Sequence, residues 1–137
     1  MDKQLIGVKA ELKELGFYFS KEYIAVGRVP QKGYENGYYI DVEISLEGFP
    51  LKQPSIKLIS INGDGEIFKV MPATWRHIDE LLIDNPKKSI FFICCLHNWS
   101  AKIEYSGKFI YQRILDWLKS NFNQDWKKEE DLISWRI

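Results

Sequence analysis

Leu5, Val8, Leu12 and Leu15 recur at steps of three and four residues, which places the apolar side chains of residues 2–15 on one face of a helix. Gly16 follows directly and suits the left-handed position that closes such a helix. Lys9 and Lys13 fall one turn apart on the opposite side, as a solvated face or as a surface for a partner. From Tyr23 the period changes to two. Tyr23-Ile24-Ala25-Val26 reads as a short strand, and after a loop through Pro30 and Gly33 the pair Asn36-Gly37 marks a hairpin turn. In the second arm Ile40, Val42, Ile44 and Leu46 alternate with Asp41, Glu43, Ser45 and Glu47. That alternation gives one buried and one wet face, as in an antiparallel sheet. Residues 55–61 form a third strand, with Ile56, Leu58, Ile59 and Ile61 as its apolar positions, and Asn62-Gly63-Asp64-Gly65 closes it.

Residues 66–88 mix two periods: Ile67, Phe68 and Val70 suggest a strand, whereas residues 75–83 suggest a helical turn before Asn85-Pro86 breaks it. Ser89-Ile90-Phe91-Phe92-Ile93-Cys94-Cys95-Leu96 is the most apolar run, too short for a membrane span and suited to a buried strand. After Gly107, Phe109, Ile110, Ile114, Trp117 and Leu118 define a second amphipathic helix to about residue 122, and residues 125–137 suggest a last short one. The order of elements predicts an α+β fold. An antiparallel four-stranded meander sheet is flanked by an N-terminal helix and by C-terminal helices, in a single domain over residues 1–137.

Composition narrows the function more than the fold. A chain of 137 residues that is 45% hydrophobic and 28% charged can bury about two-thirds of its surface without staples. Nineteen basic and nineteen acidic residues cancel, so no global field draws the chain to nucleic acid or to a membrane surface. Cys94 and Cys95 are adjacent, which precludes an unstrained disulfide between them and lacks metal-ligand spacing. That usage suits a reduced, cytoplasmic chain.

The same two residues are the candidates for chemistry. A thiolate is the strongest nucleophile a side chain offers near neutral pH, and Cys94 and Cys95 stand where the apolar run gives way to His97 and Asn98. On an extended backbone neighbouring side chains face opposite sides, so one thiol is expected in the core and one outside; both as core residues is the plainer alternative. His97, two residues beyond Cys95, and His77, from the ambiguous stretch, are possible partners of a Cys-His pair. Gly63-Asp64-Gly65 lacks the rest of any phosphate-binding loop. Asp41 and Glu43 read as the wet face of a strand, and the tyrosines and tryptophans as core and edge filler.

Three segments then carry a resemblance that spans nearly the whole chain. Phe49-Pro50-Leu51-Lys52-Gln53-Pro54 is similar to the aromatic-Pro-x-x-Pro-Pro segment before the third strand of the ubiquitin-conjugating (E2) enzyme family, with Gln53 in place of one proline. Ile93-Cys94-Cys95-Leu96 resembles that family's Ile-Cys-Leu active-site run, and Trp99-Ser100-Ala101 stands where the family has Trp-Ser-Pro. The helix through residues 109–118 takes the place of the family's helix after the active site. The resemblance implies a UBC-like fold and a catalytic cysteine that accepts the C-terminal glycine of a ubiquitin-like or other protein as a thioester and passes it to an amine. Matching on Leu96 makes Cys95 the nucleophile; the other register makes it Cys94. The chemistry calls for no cofactor and no metal, and a separate E1-like activating enzyme would have to charge the cysteine.

The departures are as informative. The family's His-Pro-Asn motif is missing, since Asn85-Pro86 has the order reversed ten residues before Cys95, and the loop from Cys95 to Trp99 is short. The short loop suggests a divergent or bacterial-type member, whereas the loss of the motif favours an inactive E2-like module. Bacterial relatives of this kind belong to anti-phage (CBASS-type) systems, where the carried protein is a ubiquitin-like protein or a cGAS-like nucleotidyltransferase of the CD-NTase kind. By the same resemblance Lys9 and Lys13 face the activating partner and Asn98 is a candidate oxyanion amide. The alternatives are a catalytically inactive E2-like or RWD-like protein-binding module, and a thiol hydrolase using His97 or His77.

Overall fold

The computed structural model describes residues 3–84, 87–96 and 106–123. Helix α1 (Lys3–Glu14) buries Leu5, Val8 and Leu12. It ends as its sequence predicts: Gly16 takes φ +91°, the Gly16 N–H donates to the Lys13 carbonyl at 3.1 Å and the Phe17 N–H to the Leu12 carbonyl at 3.0 Å. This is the double closure of a left-handed helix cap, and the residue after the glycine, Phe17, is buried as that motif favours.

Six strands follow: β1 (Tyr18–Lys21), β2 (Ile24–Val29), β3 (Ile40–Ser45), β4 (Ser55–Ile61), β5 (Ile78–Asp84) and β6 (Lys87–Ile93). They form one antiparallel sheet in the order β1-β2-β3-β4-β6-β5. The first four run as a meander. Between β2 and β3 the turn is built on Asn36 (φ +52°) and Gly37 (φ +87°), with Glu35 and Tyr38 exchanging both backbone hydrogen bonds at 2.8 and 3.1 Å. Two consecutive positive φ angles match the right-handed twist of the arms. On β3 the even positions Ile40, Val42 and Ile44 are buried and the odd ones half-buried. Glu43 stands opposite Lys57 and pairs with it at 3.2 Å, and Asp41 opposite Ser60 accepts its hydroxyl.

The sheet is wider than the four strands expected, and the residues responsible are those whose pattern is weakest. β1 has one half-buried and three exposed positions, so it carries no alternation. β5 is an outer strand whose Leu81, Leu82 and Ile83 are exposed, so consecutive apolar residues stand in for a period. In residues 66–88 the structure reverses the expectation. Ile67–Val70 is the short helix α2, with Ile67 buried and Val70, one turn on, packed against the core, whereas residues 78–84 are a strand fixed by their ladder to β6. Asn85, Pro86 and the last helix expected at 125–137 lie outside the described residues.

Helix α3 (Gly107–Asn123) returns along the helical side of the sheet. Ser106 caps it, its hydroxyl accepting the Phe109 N–H at 3.1 Å. Ile110, Ile114, Trp117 and Leu118 are fully buried beside Val8 and Leu12 of α1 and the inward residues of β2 to β4 and β6. The two helices meet backbone to backbone at Gly107. Its N–H donates to Glu11 Oε1 at 2.9 Å, and a Cβ built there would lie 2.8 Å from the Val8 carbonyl oxygen, 2.8 Å from Glu11 Cβ and 3.1 Å from the Leu12 nitrogen. Gly107→Ala is therefore expected to destabilise the fold by about 1–3 kcal/mol through overpacking, although alanine is the better helix former. Urea denaturation measures it, and an unchanged or raised midpoint would contradict this helix contact.

Candidate functional site

The two thiols are separated by strand geometry. On β6 Phe91 and Ile93 point into the core while Ile90 and Phe92 are half-buried on the other side. The ladder to β5 continues one residue past the strand, because the Cys94 N–H donates to the His77 carbonyl at 2.8 Å. Alternation then sets Cys94 on the side of Phe92 and Cys95 on the side of Ile93. Cys95 is accordingly 0% exposed and part of the core, whereas Cys94 is half-buried, and the two form no disulfide.

Cys94 lines a groove of about 360 Å³, shared with Gln53, Pro54, Ser55, Asp79 and Phe92. Ser55 begins β4, which pairs with β6 through Lys57 opposite Phe92. Asp79 comes from β5, where it stands opposite Phe92. The segment that resembles the family's proline-rich run, ending in Gln53-Pro54, thus forms one wall of the groove that holds Cys94. A slightly larger hollow of about 430 Å³ lies toward the other end of the β5–β6 hairpin, against α2, and is lined by Ile67, Phe68, Leu82, Lys88, Ser89 and Phe91 among others. Among the described residues it holds no thiol, and the one hydroxyl lining it, on Ser89, is bonded to Glu80.

The segments before β5 and after β6 are gripped from α3 by side chains four residues apart, which line up along one helix face. Arg113, buried, donates from Nε to the Cys95 carbonyl at 3.0 Å and lies 3.7 Å from the Asp116 carboxylate. Trp117 donates from its indole nitrogen to the Arg76 carbonyl at 2.9 Å. Asn121 accepts the Arg76 N–H at 2.6 Å and donates to the Arg76 and Trp117 carbonyls at 3.3 and 3.1 Å. Trp117 also meets Trp75 edge to face, with ring centroids 5.4 Å apart. The apolar pattern of the sequence marks Trp117 as core but does not single out Arg113 or Asn121. The one signal available was their spacing from Trp117, which puts a cation and an amide on the inward face of an amphipathic helix.

Of the histidines, His77 is brought against Cys94 by its backbone and takes φ +59°; His97, Asn98 and residues 99–101 lie outside the described residues. Lys9 and Lys13 do not simply face solvent. Lys9 Nζ lies 5.0 Å from the Phe19 ring centroid and 5.9 Å from that of Tyr23, and Lys13 Nζ lies 5.7 Å from Phe19. They cover aromatic residues of β1 and of the turn into β2. Among the described residues no three His, Cys, Asp or Glu side chains are grouped to hold a metal ion, and no helix is long and apolar enough to cross a membrane. Chemically, the arrangement presents one half-buried cysteine in the lining of an open groove, together with a serine and an aspartate.

Set against family models, curated proteins and solved structures, the chain finds no match.

The α3 grip predicts a specific failure. Asn121→Ala removes three hydrogen bonds from a side chain that is 1% exposed and leaves the Arg76 N–H without its acceptor. A loss of about 1–3 kcal/mol is expected in urea denaturation, together with faster alkylation of Cys95 in the folded chain. Unchanged stability and unchanged Cys95 protection would show that the grip does not hold the hairpin.

Proposed function

We propose that the protein is a thiol carrier of the ubiquitin-conjugating type, and that its nucleophile is Cys94. The observation that carries this reading is the placement of Cys94 in the groove, outside the core that encloses Cys95. An acyl carrier needs a thiol that a chain terminus can reach and that, once acylated, an amine can approach. Cys95 is fully enclosed among core residues, which supports the register that assigns Cys94. The order of elements supports the same reading: α1, a four-strand meander β1–β4, the cysteines and then α3 is the succession that the UBC-like resemblance implies. The β5–β6 hairpin, added at the edge of that meander, is the divergent part.

In this reading the Cys94 thiolate attacks the activated carbonyl carbon of a C-terminal glycine. A C–S bond forms and the activating group leaves with its electron pair. An amine nitrogen then attacks the same carbon, the C–S bond breaks, and sulfur takes up the proton that nitrogen loses, giving thiol and amide. The carried protein is a ubiquitin-like or other glycine-ending protein, such as a cGAS-like nucleotidyltransferase in a bacterial anti-phage pathway, and a separate E1-like enzyme supplies the activated glycine. Transferase activity, thioester formation and a cytoplasmic setting belong together in this proposal.

The test is electrophoresis, with and without reductant, of the protein co-expressed with the genes adjacent to its own. A higher-mass adduct that reductant removes is expected in the wild type and in Cys95→Ser. In Cys94→Ser it should become resistant to reductant and labile to hydroxide, as an oxyester is. If no adduct forms and both thiols resist alkylation until the chain unfolds, the protein is an inactive E2-like or RWD-like binding module instead.

A further inference from the structure

The sheet has two edges, and they are built differently. β1 is four residues long, breaks its register between Phe19 and Lys21, and ends in an exposed lysine, all devices by which natural edges discourage a further strand. β5 has none of them. Its register to β6 is unbroken from Ile78 to Asp84, and those seven residues include neither lysine nor proline. Asp79 to Ile83 are all exposed, so both faces of the strand are open there. The ladder also fixes which backbone groups lie at this edge. The Cys94 N–H donates to the His77 carbonyl, and antiparallel pairs alternate between bonded and non-bonded. Asp79, Leu81 and Ile83 therefore bond to β6, while Ile78, Glu80, Leu82 and Asp84 turn their N–H and C=O groups outward.

A hollow lies beside these groups. Leu82 stands opposite Ser89, on the helical side of the sheet with Phe91, and with Ile67 and Phe68 these residues line the hollow of about 430 Å³ against α2. Leu82 is 59% and Phe68 70% exposed. A strand laid along β5 would bring the side chain opposite Leu82 to this hollow, and on the other face Leu81 and Ile83 offer apolar neighbours to the side chains on either side of it. Outward main-chain groups for affinity and a pocket at alternate side-chain positions for selectivity are what strand addition uses. A second copy of β5 fits this edge poorly. The two-fold register that matches the apolar residues, Leu82 opposite Leu82, sets Glu80 opposite Asp84 twice, and like charges directly opposite are destabilising. The register centred on Leu81 instead sets Asp79 and Glu80 against Ile83 and Leu82.

We infer that β5 is a docking edge for an extended segment of a partner protein. The segment adds antiparallel as a seventh strand, seats a leucine-sized side chain in the hollow beside Leu82 and Phe68, and carries no acidic residue opposite Glu80 or Asp84. The matching chemistry is a short apolar run bracketed by lysine or arginine. The site uses neither thiol, so its test leaves the carrier reading untouched.

The probe is the peptide acetyl-Thr-Lys-Val-Leu-Val-Lys-Thr-amide, whose central five residues fall opposite Asp84 to Glu80, titrated into the isotope-labelled chain. Amide hydrogen exchange read by NMR is expected to slow about tenfold or more at Glu80 and Leu82 near saturation, and less at Leu81, which is already bonded to β6. Methylating the backbone nitrogens of the peptide's leucine and lysines removes the donors that face β5 and alters no side chain. It should weaken binding about tenfold or more. Phe68→Ser should weaken binding several-fold with the urea midpoint little changed, because the side chain it removes is exposed. Unchanged exchange at Glu80 and Leu82 up to about 1 mM peptide, or binding that either change leaves intact, overturns the inference. Sedimentation showing the chain alone to be a dimer that Leu82→Lys splits would make a second copy the occupant, and overturns it as well.

Discussion

The grip of α3 on the β5–β6 hairpin is the constraint on which the site depends. Arg113, Trp117 and Asn121 project from one helix face and take hold of the backbone at Arg76, just before the hairpin, and at Cys95, just after it. A hairpin at the edge of a sheet is among the easier parts of a fold to open. Fixing its two ends to a helix whose Ile110, Ile114 and Leu118 are fully buried ties its opening to that of the core. The cost of the arrangement is a buried guanidinium and a buried amide, and it is tolerable because each is hydrogen-bonded. Since α3 is itself seated on α1 at Gly107, the position of the cysteines follows from the packing of the two helices.

Given that anchoring, the opposite environments of Cys94 and Cys95 follow from extended backbone geometry alone. The inward side of β6 is claimed by Phe91 and Ile93, so the second residue after Ile93 is inward too, and the Arg113 bond to its carbonyl keeps it there. Cys94 is left on the outer side, between the first residues of β4 and β5. The chemistry proposed for the site needs this division, because a thiol enclosed in the core has no approach for an acyl donor and one on an open loop has no groove to orient it.

Much of the frame was legible in the residues. The stepped leucines with Gly16, the clean alternation of β3, the Asn36-Gly37 turn, the third strand at 55–61 and the helix after residue 107 all stand where local pattern placed them, because in each the burial period and the turn chemistry agree. In residues 66–88 the local pattern points the wrong way round. β5 has apolar residues on consecutive positions at an exposed edge, and α2 is one turn long, so neither displays its period; the tertiary ladder to β6 decides. The site was half legible. Period two shows that adjacent cysteines part company, but an apolar run from Ile90 to Leu96 has no polar face to reveal which parity is inward. Asp79, Arg113 and Asn121 join the site through a register and a helix packing that no local pattern encodes.

In the structure one thiol is accessible and its neighbour is not, a difference read by alkylating the folded wild-type chain with iodoacetamide and resolving the product at each cysteine by fragment-ion mass spectrometry. Cys94 is expected to be modified and Cys95 to react only through opening of the core, slower by about 100-fold or more, until denaturant equalises the two. Equal rates, or modification of Cys95 first, would contradict it.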